Sequence, residues 1–157
     1  MNFITICVFI SLISGSLCCS CIPANVSQHY ESTNLMVQAL INGQQIISTG
    51  TYGVDYNEFI RFQITVQKVF KASTPEVRTA LRSGYMYTSG SSASCGISLT
   101  TGQIYIISAG LQELYGLSKG PTDKKLSAYS CGFQRQVESL TTDEIRFFDE
   151  LNKNRSG

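Results

Sequence analysis

Alternation of apolar and polar residues is cleanest between Phe59 and Phe70. Ile60, Phe62, Ile64, Val66 and Lys68 point one way, and Phe59, Arg61, Gln63, Thr65 and Gln67 point the other. Period-two patterning marks a half-buried strand, and this stretch predicts the long central strand of the molecule. Val69 and Phe70 break the period, which predicts a bulge or a strand end there. Upstream, the apolar run Leu35–Ile41 predicts a strand closed by Asn42-Gly43, a tight-turn pair, with Gln44–Thr49 returning as its partner. Gly50 through Asn57 reads as a loop.

Further along, Thr74-Pro75-Glu76 opens a short helix through Leu81, with Thr74 as cap and Pro75 at the first helical position. Tyr85–Thr88 and Gln103–Ser108 read as strands. The second of these is followed by Gly110 and the polar loop Gly116–Lys125. Thr141 and Glu144 form a capping box, and Ile145, Phe148 and Leu151 recur at helical spacing, so a C-terminal helix burying those three is predicted. Ala24–Thr33 is polar, and no element is predicted for it. Five or six short strands with a short helix and a C-terminal helix predict a mainly β fold, a small Greek-key barrel packed by helices.

The first residues belong to a different pattern. Residues 1–17 carry Phe3, Ile4, Ile6, Val8, Phe9, Ile10, Leu12 and Ile13, then Ser14-Gly15-Ser16. This is the apolar and small-residue grammar of a secretory signal, and it falls short of the ~20 apolar residues of a membrane helix. Cuts after Ser16, Cys18 or Ser20 all satisfy the small-residue rule. Of the six cysteines, a cut after Cys18 leaves an even set, Cys19, Cys21, Cys95 and Cys131, as an oxidising compartment favours. The expectation is a signal peptide over 1–18 and one secreted domain over 19–157, with a flexible tail from about residue 153 and no membrane span. Four cysteines allow three pairings.

Composition narrows the function. Twelve Lys and Arg against eleven Asp and Glu give a net charge of +1, which argues against nucleic acid as a partner. No H-E-x-x-H, G-x-S-x-G or P-loop is present, and the sole histidine, His29, has no flanking acid, so an enzyme is not expected. Two sequons, Asn25-Val26-Ser27 and Asn154-Arg155-Ser156, offer N-glycan acceptors in a secreted chain.

Taken in order, Cys19-Ser20-Cys21-Ile22-Pro23 directly after the signal, Lys68-Val69-Phe70-Lys71-Ala72, Tyr87-Thr88 ahead of Ser94-Cys95-Gly96, Ala109-Gly110-Leu111 and Ser130-Cys131-Gly132-Phe133 form a pattern. It resembles the N-terminal inhibitory domain of the tissue inhibitors of metalloproteinases, over nearly all of the mature chain. The resemblance implies an OB-type barrel with flanking helices, and bridges Cys19–Cys95 and Cys21–Cys131. It implies that Cys19, as mature N-terminus, chelates the catalytic zinc of a protease through its α-amine and carbonyl oxygen. Ser20 would then enter the main specificity pocket, and Cys21, Ile22 and Pro23 would follow the cleft with the loop Ala93, Ser94 and Cys95 beside them. The zinc is the partner's, and no cofactor of this chain's own is implied. The implied partners are secreted or cell-surface zinc metalloproteases, met by a monomer in the extracellular space or matrix.

Two departures from the family accompany the match. The usual third bridge, from the segment after the C-x-C to the end of the domain, has no cysteine near Glu31 and Ser32 and none after Cys131. The chain also stops where the family's second, cysteine-rich domain begins. The alternative reading is a non-inhibitory netrin-like binding module of the extracellular matrix. Residues ahead of Cys19 in the mature protein would favour it, because a blocked terminus cannot chelate.

Overall fold

A computed structural model describes residues 19–51, 56–90 and 95–154; the proposed leader, Ala93, Ser94 and the end of the second sequon lie outside these. In chain order the elements are α1 (Val26–Ser32), β1 (Leu35–Thr49), β2 (Asn57–Ala72), α2 (Pro75–Leu81), β3 (Tyr85–Ser89), β4 (Ile104–Gln112), β5 (Lys125–Ser127), β6 (Gln134–Gln136) and α3 (Thr142–Lys153). Among these residues no helix is long and apolar enough to cross a membrane.

The strands lie in the order β1-β2-β3-β5-β4-β6, and β1 also pairs with β4, so five strands close into a ring with β6 added outside β4. The β3–β5 pair is parallel and the other pairings are antiparallel. This is the Greek-key OB-type barrel expected from the sequence.

β1 explains why its first half does not alternate. Leu35, Val37, Ala39 and Ile41 fill the barrel with Phe62, Ile64, Met86, Ile107 and Leu126, and Val77 of α2 joins this core. Met36 points outward into a second core with Phe70, Ile106, Phe133 and Phe148, roofed by α1 and α3. Both faces are covered, so both are apolar.

Asn42-Gly43 makes no hairpin turn. β1 runs straight through it for 15 residues and stays paired with β2 throughout. Ile41 faces Ile64 and Gly43 faces Gln63, leaving Asn42 as the extra residue of a bulge, its Nδ2 donating to Thr65 Oγ1 at 2.8 Å. Gln44–Thr49 therefore belongs to the same strand. The bulge sits where β1 leaves its second partner, because pairing with β4 ends at Leu40. The irregularity expected at Val69 and Phe70 is present as a register shift at Phe70, opposite Met36/Val37, and a second shift, opposite Gln38/Ala39, falls at Gln67.

Other boundaries moved for equally local reasons. β4 continues through Gly110 to Gln112, because β5 pairs with it there. The alternation of β2 holds, but Phe59 on the outer face is buried as well, beside a hollow that Leu114 and Ala128 also line. The caps of α2 and α3 form as predicted, Thr74 accepting from the Val77 N–H and Thr141 reciprocating with Glu144. On α3, however, Ile145 is 47% exposed, and the buried face is Phe147, Phe148 and Leu151.

α1, in a stretch where the sequence pattern predicts no element, is seven residues long and starts with its own capping box. Asn25 Oδ1 accepts from the Gln28 N–H, and Gln28 Oε1 accepts from the Asn25 N–H. Near its end, where the family's third bridge is missing, contacts of another kind hold the helix. The Tyr30 ring meets Phe147 of α3 edge-on at 5.6 Å, and its hydroxyl donates to Phe70 O at 3.1 Å. Lys71 Nζ donates to the Tyr30 and Glu31 carbonyls at 2.7 and 2.8 Å, a cation placed on orphan carbonyls at a helix C-terminus.

Candidate functional site

Cys19–Asn25 runs without regular structure over the end of the barrel and lies on the surface. Ile22 is 89% exposed, which is unusual for an apolar side chain in a fixed segment. Two bridges fix it. Cys19 is joined to Cys95 with Cα atoms 5.6 Å apart, and Cys21 to Cys131 at 5.2 Å, both within the ordinary span of a disulfide.

The partner cysteines sit on two loops that hold each other. The Ser130 N–H donates to Cys95 O at 2.9 Å. Cys95 itself has φ of +61°, a left-handed conformation costly for a residue with a Cβ and kept by its surroundings. Just after it, the Ile97 N–H donates to the buried hydroxyl of Thr88 at 3.0 Å, anchoring the loop to β3. The Cys131 loop is clamped onto β4. Phe133 N–H donates to Ser108 Oγ, and Ser108 N–H to Phe133 O, each at 2.7 Å. Gly132 makes this approach possible, because a Cβ there would stand 2.7 Å from Ser108 Oγ.

One flank of the bridges opens into a hollow of about 710 Å³ bordered by Tyr56, Glu58, Phe59, Tyr129 and the two barrel-side cysteines. Tyr56 and Tyr129 are 42% and 45% exposed, and the Tyr56 hydroxyl donates to Glu58 Oε2 at 3.1 Å. These two tyrosines carry no motif. The one cue in the sequence was the position of Tyr129 two residues before Cys131. Two carboxyls are held below their ordinary range, both on the α2 side of the barrel: Glu76 by its own N–H and the Thr74 hydroxyl, and Asp123 by Lys125 and the Lys119 N–H.

Of the residues singled out from the sequence, Ser20, Cys21, Ile22 and Pro23 form an exposed strip that starts from the half-buried Cys19, and Cys95 is bridged to Cys19. Ala93 and Ser94 lie outside the described residues. Asn25 begins α1, and Asn154 follows the last turn of α3. Among the described residues, no group of three or more His, Cys, Asp or Glu gathers as a metal site.

Ser130 Oγ is the one buried side-chain oxygen or nitrogen among the described residues for which no partner is found. Burying a hydroxyl without a partner costs about 1–3 kcal/mol. Ser130→Ala is therefore expected to raise stability by about 1 kcal/mol, read as a higher thermal midpoint with both bridges intact. A lower midpoint would show that the hydroxyl has a partner in solution.

Comparison with known proteins identifies the family. A family profile described as "Tissue inhibitor of metalloproteinase" matches residues 17–154. Metalloproteinase inhibitor 4 of Mus musculus is 31% identical over 83 residues, covering 53% of this chain and 35% of the relative. Metalloproteinase inhibitor 2 of Homo sapiens is 26% identical over 128 residues, covering 80% of this chain and 52% of the relative. That of Cavia porcellus is 26% identical over 132 residues, covering 83% and 54%. The chain thus spans between a third and little more than half of the length of these curated relatives. With the profile running from just before the C-x-C through the last helix, the chain belongs to the tissue inhibitor of metalloproteinase family.

Proposed function

We propose that the chain is a secreted inhibitor of zinc metalloendopeptidases of the matrix metalloproteinase type, working through a mature N-terminus at Cys19. The observation that carries this reading is the surface strip Cys19–Pro23, exposed from Ser20 onward and fixed through Cys19 and Cys21 to two loops that are themselves anchored to the barrel. An accessible segment held in one shape enters a protease cleft as a substrate would, without the ordering cost of a loose terminus. That cost is about 1–2 kcal/mol per residue.

A cut after Cys18 converts the Cys19 nitrogen into an α-amine. Such an amine titrates near ~8, so its lone pair is available close to neutral pH. A catalytic zinc site keeps one position open or water-filled. The amine and carbonyl oxygen of Cys19 together form a five-membered chelate suited to that position. The metal belongs to the protease, and this chain contributes two backbone donors. Ser20 then points into the specificity pocket, while Cys21, Ile22 and Pro23 line the cleft. The hollow with Tyr56 and Tyr129 lies on the flank of the same strip, where it can receive the cleft's rim.

Substitution at position 20 tests the placement. Ser20→Gly is expected to weaken inhibition across a panel of metalloproteases, and larger residues to re-rank the panel by pocket size. Inhibition constants that ignore position 20 in every protease would put the contact elsewhere and favour the non-inhibitory binding module.

A further inference from the structure

A cleft of about 440 Å³ lies between the starts of α1 and α3, on the side of the Cys131 loop that carries Gly132 and Phe133. Asn25 stands at its edge with His29, Gln134, Arg135 and Asp143 around it. Asn25 is also the first residue of a sequon, Asn25-Val26-Ser27, and its side chain is exposed. The amide uses only its oxygen in the fold: Oδ1 accepts from the Gln28 N–H at 3.0 Å and from Ser27 Oγ at 2.7 Å. For Nδ2 no partner is found among the described residues.

We propose that Asn25 carries an N-linked glycan whose first sugar seats in the cleft between α1 and α3. The attachment replaces one N–H of the amide and leaves the carbonyl oxygen untouched, so the cap of α1 and the modification do not compete. In the transfer, Nδ2 attacks the anomeric carbon of an N-acetylglucosamine carried on a lipid diphosphate. The N–C bond forms, the C–O bond to the diphosphate breaks, the lipid diphosphate departs, and the amide gives up one proton to a base. The reaction takes place on the unfolded chain in the secretory pathway, so the fold has only to accommodate the product.

The cleft suits a sugar in kind as well as in place. The His29 ring, held edge-on to Phe133 at 5.9 Å, offers an aromatic wall to the apolar face of a pyranose. Gln134, Arg135 and Asp143 supply donors and acceptors for its hydroxyl and acetamido groups. Asn154, the other acceptor, caps the opposite end of α3 from the one that borders this cleft, and serves as a control.

The proposal rests on secretion, which belongs to the function proposed above, and the experiment separates the two. The full chain with its leader is expressed in animal cells as wild type, Asn154→Gln, and Asn25→Gln with Asn154→Gln. Secreted Asn154→Gln is expected to run faster after peptide:N-glycosidase treatment, and the double variant to be indifferent to the enzyme. Secreted Asn154→Gln that does not respond overturns the glycan alone, and a chain retained inside the cell overturns secretion with it.

The seat is read separately, on Asn154→Gln trimmed by an endoglycosidase to a single N-acetylglucosamine. It is compared with the same variant from cells whose N-glycosylation is blocked, so that Asn25 and its cap are present in both. Amide hydrogen exchange over Val26–Ser32 and Thr142–Glu144 is expected to be several-fold slower in the single-sugar form. Equal rates mean that the sugar points into solvent and the seat is wrong.

Discussion

One alanine added in front of Cys19 is expected to reduce inhibition of a zinc metalloendopeptidase by about a hundredfold or more. Each tenfold corresponds to about 1.4 kcal/mol. The added residue turns the α-amine into an amide nitrogen, which has no basic lone pair to give, and places atoms where the metal's open position should be. The bridges to Cys95 and Cys131 remain, so the loss is to be measured on protein whose thermal midpoint is unchanged and whose N-terminus has been sequenced. Acidification acts in the same direction. The amine binds metal only when neutral, so below its ordinary range near ~8 each pH unit converts more of it to the protonated form and weakens inhibition. If the extended protein inhibits as well as the native one, chelation is wrong and the netrin-like binding module replaces it.

Removing the Cys21–Cys131 bridge as the pair Cys21→Ser and Cys131→Ser is expected to lower stability by about 4–5 kcal/mol in the chain-entropy description. The bridge closes a sequence separation of 110 residues. Domains of this size have only about 5–15 kcal/mol in total, so the denaturant midpoint should fall far. Inhibition should fall further than the folded fraction predicts, because Ile22 and Pro23 lose their nearest anchor. A variant that unfolds at the native denaturant concentration would mean the bridge is strained or the reduced chain stays ordered. One that keeps full inhibition would mean the strip needs no pinning.

Local physics was readable in the sequence wherever a few adjacent residues decide the outcome. Thr74-Pro75 and the Thr141–Glu144 box stop and start helices by satisfying their own N–H groups, and both do so in the structure. Asn42-Gly43 misled because the same dipeptide serves a turn or a bulge, and only the distant end of pairing with β4 at Leu40 decides which. Ile145 misled because helical spacing gives a stripe but not its edge, and that was set by Tyr30 meeting Phe147. α1 was missed because seven residues are too few to show a period. At the site, the exposed C-x-C strip was visible as residues, whereas counting alone left three pairings open. The hollow with Tyr56 and Tyr129 was invisible, since it exists only where β2, β3 and the Cys131 loop converge.

The two bridges also order the making of the molecule. On the proposed secretory route, Cys19 and Cys21 would reach the lumen ahead of their partners, which follow 76 and 110 residues later. At translation speeds of about 5–20 residues per second, Cys21 waits on the order of 5–20 s for Cys131. During part of that interval Cys95 is already within reach of both thiols, and Cys21–Cys95 is a wrong product that thiol exchange must undo. The end of the chain synthesised first is thus the last to be completed, and the yield of correctly bridged protein depends on how well a disulfide isomerase corrects that early choice.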